Sequence, residues 1–489
     1  MRRLGFVVVV FLLASAAGAH AAADLLVGVT EDGLKTEPEA ALADARKLGL
    51  GAFRITLRWR PGLTEPTEEQ AAELERATRG ASRIEIVLSV YGERAAHAPT
   101  TQVRQDAYCG FLAEIVRRYK RVRNVAIWNE PNKTFFWSPQ FNPDGSSAAP
   151  VAYAELLGRC WDVLHDARSD VKLIAPSTSP RGNDNPEAAS NVSHSPTKFV
   201  RELGRAYRES GRDAPLFDVV GHHVHALHSA ERPWRAHPGT GITQGDLAKL
   251  ERTLADAFAG TRQPVPGRCI DGRCVPIWWL EVGFQTKPDP AKASLYTGLE
   301  ISPRPVPDST GEVELEPLPD SRSLAPDQAT QLVSALRLAY CQPHVEGFFN
   351  FLLWDEERLE GWQSAPFWYD RTPKGSFDAL RGAIEEVTNR EVDCAELNAA
   401  SREEATAVPA ETTDGPGETT AGPRGTTAGP GETTVDPDGT AAPPDEESDD
   451  GTFSASTLAA GAAGAILLAG AGLLYVLRRR RGGGSDGSR

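Results

Sequence analysis

The chain has 489 residues and a formal net charge of −15. Much of that charge comes from an acidic stretch near the C-terminus, and nothing in it suggests a nucleic-acid partner; residues 23–400 are large for one domain but typical of a barrel with long loops. Its six cysteines include no paired Cys-x-x-Cys spacing, which points to disulfides in an oxidising compartment rather than structural zinc.

Taken in chain order, residues 1–21 read as a secretory signal peptide. Arg2 and Arg3 precede an apolar run from Phe6 to Leu13, and Ala19-His20-Ala21 offers a small-x-small cleavage site. The run is too short to span a bilayer. From 23 to 400, β-like and helix-like segments alternate. Strands are expected at 25–29, 52–57, 84–90, 125–129, 171–176, 217–224, 276–281 and 347–353. Amphipathic segments follow at 37–48, 68–77, 106–120, 153–167, 199–209, 247–258, 329–339 and 377–387. Thr67 and Gln70 form a capping box at the start of the second of these. Eight of each predicts an α/β fold closed as a (β/α)8 barrel. An open doubly wound sheet would call for a Gly-rich phosphate loop after the first strand, and Gly28-Val29-Thr30 does not supply one. Cys269 and Cys274 flank an Asp271-Gly272 turn, so a hairpin bridge is expected there. Cys109, Cys160, Cys341 and Cys394 admit three pairings.

Between 401 and 452 the composition collapses into Thr, Gly, Pro, Asp and Glu. Seven-residue repeats run from Thr412 to Gly439, each opening on Thr-Thr with Pro in fifth place. Such a segment buries too little apolar surface to offset its ordering entropy, so a disordered stalk is expected. Residues 453–477 read as a transmembrane helix. Its uncharged stretch from Ala455 to Leu477 would reach ~34 Å as a helix, against a hydrocarbon core of ~30 Å. Arg478 to Arg481 then open a basic cytoplasmic tail, 478–489. No Leu-Pro-x-Thr-Gly precedes the span, which favours a plain membrane anchor over covalent wall attachment. The expected organisation is a single-pass cell-membrane protein with its barrel outside.

Two places in the barrel hold an acid where an apolar strand runs out. Ile127-Trp128-Asn129-Glu130-Pro131-Asn132 stops on Glu130, and Pro131 forbids continuation of the strand. Pro276-Ile277-Trp278-Trp279-Leu280-Glu281-Val282-Gly283 stops on Glu281. Barrel active sites lie at the C-terminal ends of the strands. Two carboxylates placed there are the minimum equipment for cutting a glycosidic bond with retention of configuration, provided they stand ~5–5.5 Å apart.

In these residues the chain resembles the retaining glycoside hydrolases built on (β/α)8 barrels with an Asn-Glu-Pro acid/base motif, closest to the β-xylosidase-like and cellulase-like families. The resemblance runs from Leu25 to Val387. It implies Glu130 as acid/base and Glu281 as nucleophile, the latter in Leu280-Glu281-Val282-Gly283 where the family has Thr-Glu-Phe-Gly. It implies that Asn129 bonds the sugar 2-hydroxyl and that Arg54, on the second strand, keeps the nucleophile ionised. On the sixth strand, Gly221, His223 and His225 match a small-x-His-x-Tyr pattern, with His225 where the family's Tyr donates to the nucleophile. By alternation His223 and His225 share a face and His222 takes the other. Trp354 matches a sugar-stacking platform, Trp137 an aromatic extension past the acid, and Tyr91 a further subsite contact. No cofactor is implied. No metal is expected, because the histidines lack a carboxylate at ligand spacing.

The expected function is that of a retaining glycosidase hydrolysing O-glycosidic bonds of β-linked oligo- or polysaccharides at the cell surface. The alternatives are a transglycosidase on the same site and a carbohydrate-binding surface protein with a decayed site. The presence of both carboxylates, Asn129 and Arg54 argues against decay. Neither the sugar cut nor the oligomeric state is legible.

Overall fold

Eight parallel strands pair in chain order and β8 closes on β1, giving the expected barrel. They are β1 (Leu26–Thr30), β2 (Ala52–Trp59), β3 (Glu85–Gly92), β4 (Val122–Ile127), β5 (Lys172–Thr178), β6 (Val219–His223), β7 (Ile277–Val282) and β8 (Val345–Phe351). The computed structural model describes residues 24–80, 83–302, 305–310 and 326–395. The expected signal peptide, stalk, transmembrane helix and tail lie outside them. Among the described residues, no helix is long and apolar enough to cross a membrane.

The connecting helices are α1 (Gly33–Thr36), α2 (Pro38–Leu48), α3 (Glu68–Arg79), α4 (Gln102–Arg118), α5 (Ala149–Ala167), α6 (Pro196–Glu209), α7 (Leu247–Ala257), α8 (Gln328–Cys341) and α9 (Ser376–Asn389). Helix α3 opens on the Thr67–Gln70 capping box, and Ser195 and Asp327 cap α6 and α8 with their side chains. These caps satisfy backbone N–H groups that a helix start leaves without partners. The single turn α1 was not expected; at four residues it is too short to show a helical period.

Strand alternation divides the core in two. One side chain or more from every strand, including Ala52, Val87, Ala126, Ile174, Val219, Trp278, Leu280 and Phe349, fills the barrel interior. Their neighbours on the strands pack outward against the helices. Trp278 takes much of the interior, and this requires glycine opposite: a Cβ on Gly347 would lie 2.6 Å from the indole Cγ. The interior is therefore a packed plug, and chemistry is confined to its C-terminal rim. Three disulfides form. Cys269–Cys274 closes the expected hairpin, Cys109–Cys160 ties α4 to α5, and Cys341–Cys394 ties α8 to the segment after α9.

Candidate active site

Strand β4 ends at Ile127, two residues earlier than expected. Trp128 (φ 68°) and Glu130 (φ 39°) both take left-handed backbone, a region that costs a bulky residue energy and recurs at functional sites. The surroundings hold this turn in place. Trp128 donates its N–H to Val90 and its indole N–H to the Phe136 carbonyl, and the Glu130 N–H bonds Ser177 O at 3.0 Å. Asn132 locks the following loop to the β5 connection, donating to Ser179 and His194 carbonyls and accepting from the Ser179 N–H.

Glu281 reaches the site by another device. Trp278 and Leu280 point into the barrel, so strict alternation would send Glu281 outward. In its pairing with β6, however, β7 places Trp279 opposite His222 and Glu281 opposite His223, passing over Leu280; the register shifts again against β8. Such bulges bend a strand and re-aim a side chain.

The two carboxylates share a buried polar network. Arg54 is 1% exposed. Its Nη1 donates to Glu281 Oε1 at 2.6 Å, and its Nη2 to Asn129 Oδ1 at 2.7 Å and Ser89 Oγ at 3.1 Å. Because Asn129 Oδ1 is held by Arg54, its amide nitrogen is free to donate elsewhere. His225 Nε2 lies 3.2 Å from Glu281 Oε2. His223 Nδ1 lies 2.9 Å from Glu130 Oε1 and 3.3 Å from Glu281 Oε2. Carboxylates only accept, so these ring nitrogens carry the hydrogens. Burial alone would push the Glu281 carboxyl up; the charges of His223 and Arg54 and the His225 bond overcome it and hold the carboxyl well below its ordinary range.

His222 faces away, as alternation predicts. It donates Nε2–H to Ile242 O and accepts from Thr178 at Nδ1, and burial pushes it down to about 3, so the ring stays neutral. Arg54, Asn129, Glu130, His223, His225 and Glu281 come together; the three expected sugar-contacting aromatics are placed differently. Trp137 is fully buried, edge-on to Trp128 and Tyr153, as an anchor of its loop. Tyr91 is nearly closed off, with the Arg58 guanidinium 4.0 Å from its ring centre, and burial pushes its phenol up to about 12. Trp354 donates its indole N–H to Asp44 on α2 at 2.9 Å, and Arg371 covers its ring at 4.3 Å. The indole beside His225, the partner of Glu281, is instead Trp362, half-buried, 4.6 Å from the His225 ring and edge-on to Phe351. Its position in an irregular loop after β8 left no periodic signal in the sequence.

Other groups on the rim had no sequence signal beyond lying just past a strand. Glu31 accepts from Gly33 and Leu353 N–H groups, and burial, then Asp32, pushes it up to about 7. Glu356 accepts from the Trp362 N–H; burial, aided by Glu31 and Asp355, pushes it up to about 7 as well. Lys133 and Arg181 stand on the β4 and β5 connections near Glu130.

The expectation that no carboxylate lies at ligand spacing from the histidines needs correction. Glu130, His223 and Glu281 each bring one ligand atom within 4.8 Å of the others, an arrangement that could hold a metal ion. The carboxylates arrive from other strands, which spacing along β6 could not reveal. The Arg54 cation, already on the other oxygen of Glu281, opposes a dication there.

The described chain is thus a (β/α)8 barrel with a pair of buried carboxylates at its C-terminal rim. No family model matches it, and no curated protein matches its sequence. Among solved structures it is similar to a GH39 enzyme from Xanthomonas axonopodis pv. citri, with 15% identity over 74% of this chain and 67% of that one and a TM-score of 0.43. A glucosidase from Croceicoccus marinus gives 11%, 74%, 68% and 0.45, and a monomeric β-xylosidase from Caulobacter crescentus CB15 gives 16%, 74%, 69% and 0.42. These likenesses are distant, and the reading of the site rests on its own geometry.

Proposed function

We propose that the protein is a retaining glycosidase that hydrolyses β-linked saccharides at the cell surface by double displacement. The observation that carries this reading is the separation of the carboxylates. An oxygen of Glu130 and one of Glu281 lie within 4.8 Å, which suits the ~5–5.5 Å spacing of double displacement and not the ~6.5–9.5 Å that leaves room for a water in inversion.

In the first step a Glu281 oxygen bonds the anomeric carbon as the glycosidic C–O bond breaks, and Glu130 gives its proton to the departing oxygen. In the second, Glu130 takes a proton from water, whose oxygen displaces Glu281 from the anomeric carbon. Arg54 favours the ionised nucleophile, and the free Asn129 amide is the donor for the sugar 2-hydroxyl, a bond that strengthens as positive charge develops on the ring. His223 donates to one Glu130 oxygen and leaves the other for proton transfer. The cell-surface location is drawn from the signal-like start and the apolar segment at 453–477. A screen of aryl β-glycosides with the purified full chain tests the reading: one glycone class should be cleaved, and Glu281→Gln should abolish the cleavage. No turnover of any β-glycoside would contradict it.

A further inference from the structure

Lys133 follows the Asn-Glu-Pro-Asn motif on the connection from β4 to α5, and its backbone N–H bonds Glu130 O at 2.9 Å. Arg181 lies on the next connection, from β5 to α6. Lys133 Nζ approaches the Arg181 carbonyl at 3.4 Å, and Arg181 Nη1 donates to His225 O at 2.7 Å. Both side chains are half-buried, and neither takes part in an ion pair among the described residues. Several other half-buried cations pair with carboxylates, Lys292 with Asp370, Arg337 with Glu386 and Lys249 with Asp246, whereas Arg268 bonds carbonyls and Lys198 lies over the Phe141 ring. The acid facing Arg181 besides Glu130 is Glu231, which is already engaged by His237 and the Leu227 N–H. Desolvation lowers the pKa of both cations, Glu130 opposes this in each, and the Arg181 charge adds to the lowering of Lys133. Two like charges on neighbouring connections, partly out of water and sharing only the more distant Glu130 and the engaged Glu231, are stabilised by an arriving anion.

We propose that Lys133 and Arg181 form an anion-recognition pair on the leaving-group side of Glu130, so that the sugar released carries a carboxylate or a sulfate. This rests on the glycosidase reading, because Glu130's role as acid places the departing oxygen beside it. A guanidinium and an ammonium on adjacent rim connections suit an oxyanion, with Arg supplying paired donors and Lys a point charge.

The test uses the full chain and disaccharides that share the cleaved glycone and differ only in the second sugar: glucose, glucuronic acid or glucose 6-sulfate. The wild type should favour one charged substrate over the neutral one by about tenfold or more in kcat/KM. That ratio should fall toward one in the Lys133→Met/Arg181→Met double variant and persist in Lys133→Arg. Preference for the uronic acid identifies a carboxylate, and preference for the sulfated sugar a sulfate. Equal rates, or a preference that survives in the double variant, would overturn the proposal. Should the double variant not fold, Lys133→Gln alone reads the same ratio. If the wild type cleaves no β-glycoside, the glycosidase reading fails separately. Calorimetric titration with glucuronate and glucose 6-sulfate then decides: binding lost in the variants upholds the pair, and binding absent or unchanged overturns it.

Discussion

Glu130 and Glu281 each bring a carboxylate oxygen to within 4.8 Å of the other, and His223 Nδ1 bonds the first at 2.9 Å and lies 3.3 Å from the second. Neither is delivered by regular backbone. A left-handed turn presents the first and a bulged strand the second, so the fold around each must be held by contacts remote from the chemistry. Arg54 bonds Glu281 directly and ties it to Asn129 and Ser89.

Arg54→Gln should therefore lower kcat by about 10² or more, as the loss of one partner of a buried ion pair costs about 3 kcal/mol or more. It should also move the acid limb of the pH–rate profile. The depressed Glu281 carboxyl keeps the nucleophile ionised in mild acid; without the cation, activity should be lost at higher pH as pH falls. A kcat/KM profile from pH 3 to 8 checks this, and an unmoved acid limb would remove Arg54 from control of the nucleophile.

His225 Nε2 lies 3.2 Å from Glu281 Oε2 and donates to it, a role a tyrosine hydroxyl can also fill. His225→Tyr should retain most activity, whereas His225→Phe, which keeps a ring against Trp362 and loses the N–H, should reduce kcat by about 10–100-fold, the worth of a hydrogen bond to a charged group. Equal kcat values for the Tyr and Phe variants would show that the ring acts by packing alone.

The rim carboxyls Glu31 and Glu356 couple stability to pH. Both are pushed up to about 7, so the folded state binds more protons than the unfolded chain. Their contribution is complete below the ordinary carboxyl range and is lost as pH rises from there through about 7. Glu31→Gln and Glu356→Gln should raise the Tm relative to wild type at pH 8 more than at pH 5. Thermal melts at the two pH values measure it, and an equal effect at both would exclude these groups as the source.

Most of the barrel was legible because its strands are short apolar runs and its helices amphipathic, and both periods survive in one sequence. Where the reading slipped, tertiary geometry decided. The fourth strand ends early because Trp128 turns left-handed, which no propensity of Trp predicts. Glu281 was rightly placed at a strand end, yet only the bulge explains why it faces the same space as Glu130. Trp354, expected at the end of the eighth strand, lies three residues past β8, which stops at Phe351, and is claimed by Asp44 and Arg371, while Trp362 returns from a loop to meet His225. Lys133 and Arg181 acquire meaning together, and the sequence separates them by a whole helix.

The central claim assigns opposite roles to the two acids across one sugar, and azide trapping tests it most directly. In Glu281→Gly a small anion fits the vacated space and attacks the nucleophile's face, so azide should yield an α-configured glycosyl azide from a β-glycoside. In Glu130→Ala an activated aryl glycoside still forms the covalent intermediate, deglycosylation stalls for want of a base, and azide should intercept it from the other face to give the β-azide. Those two products, read by NMR, are the predicted result; products with the configurations exchanged, or wild-type-like turnover in either variant, would contradict the account.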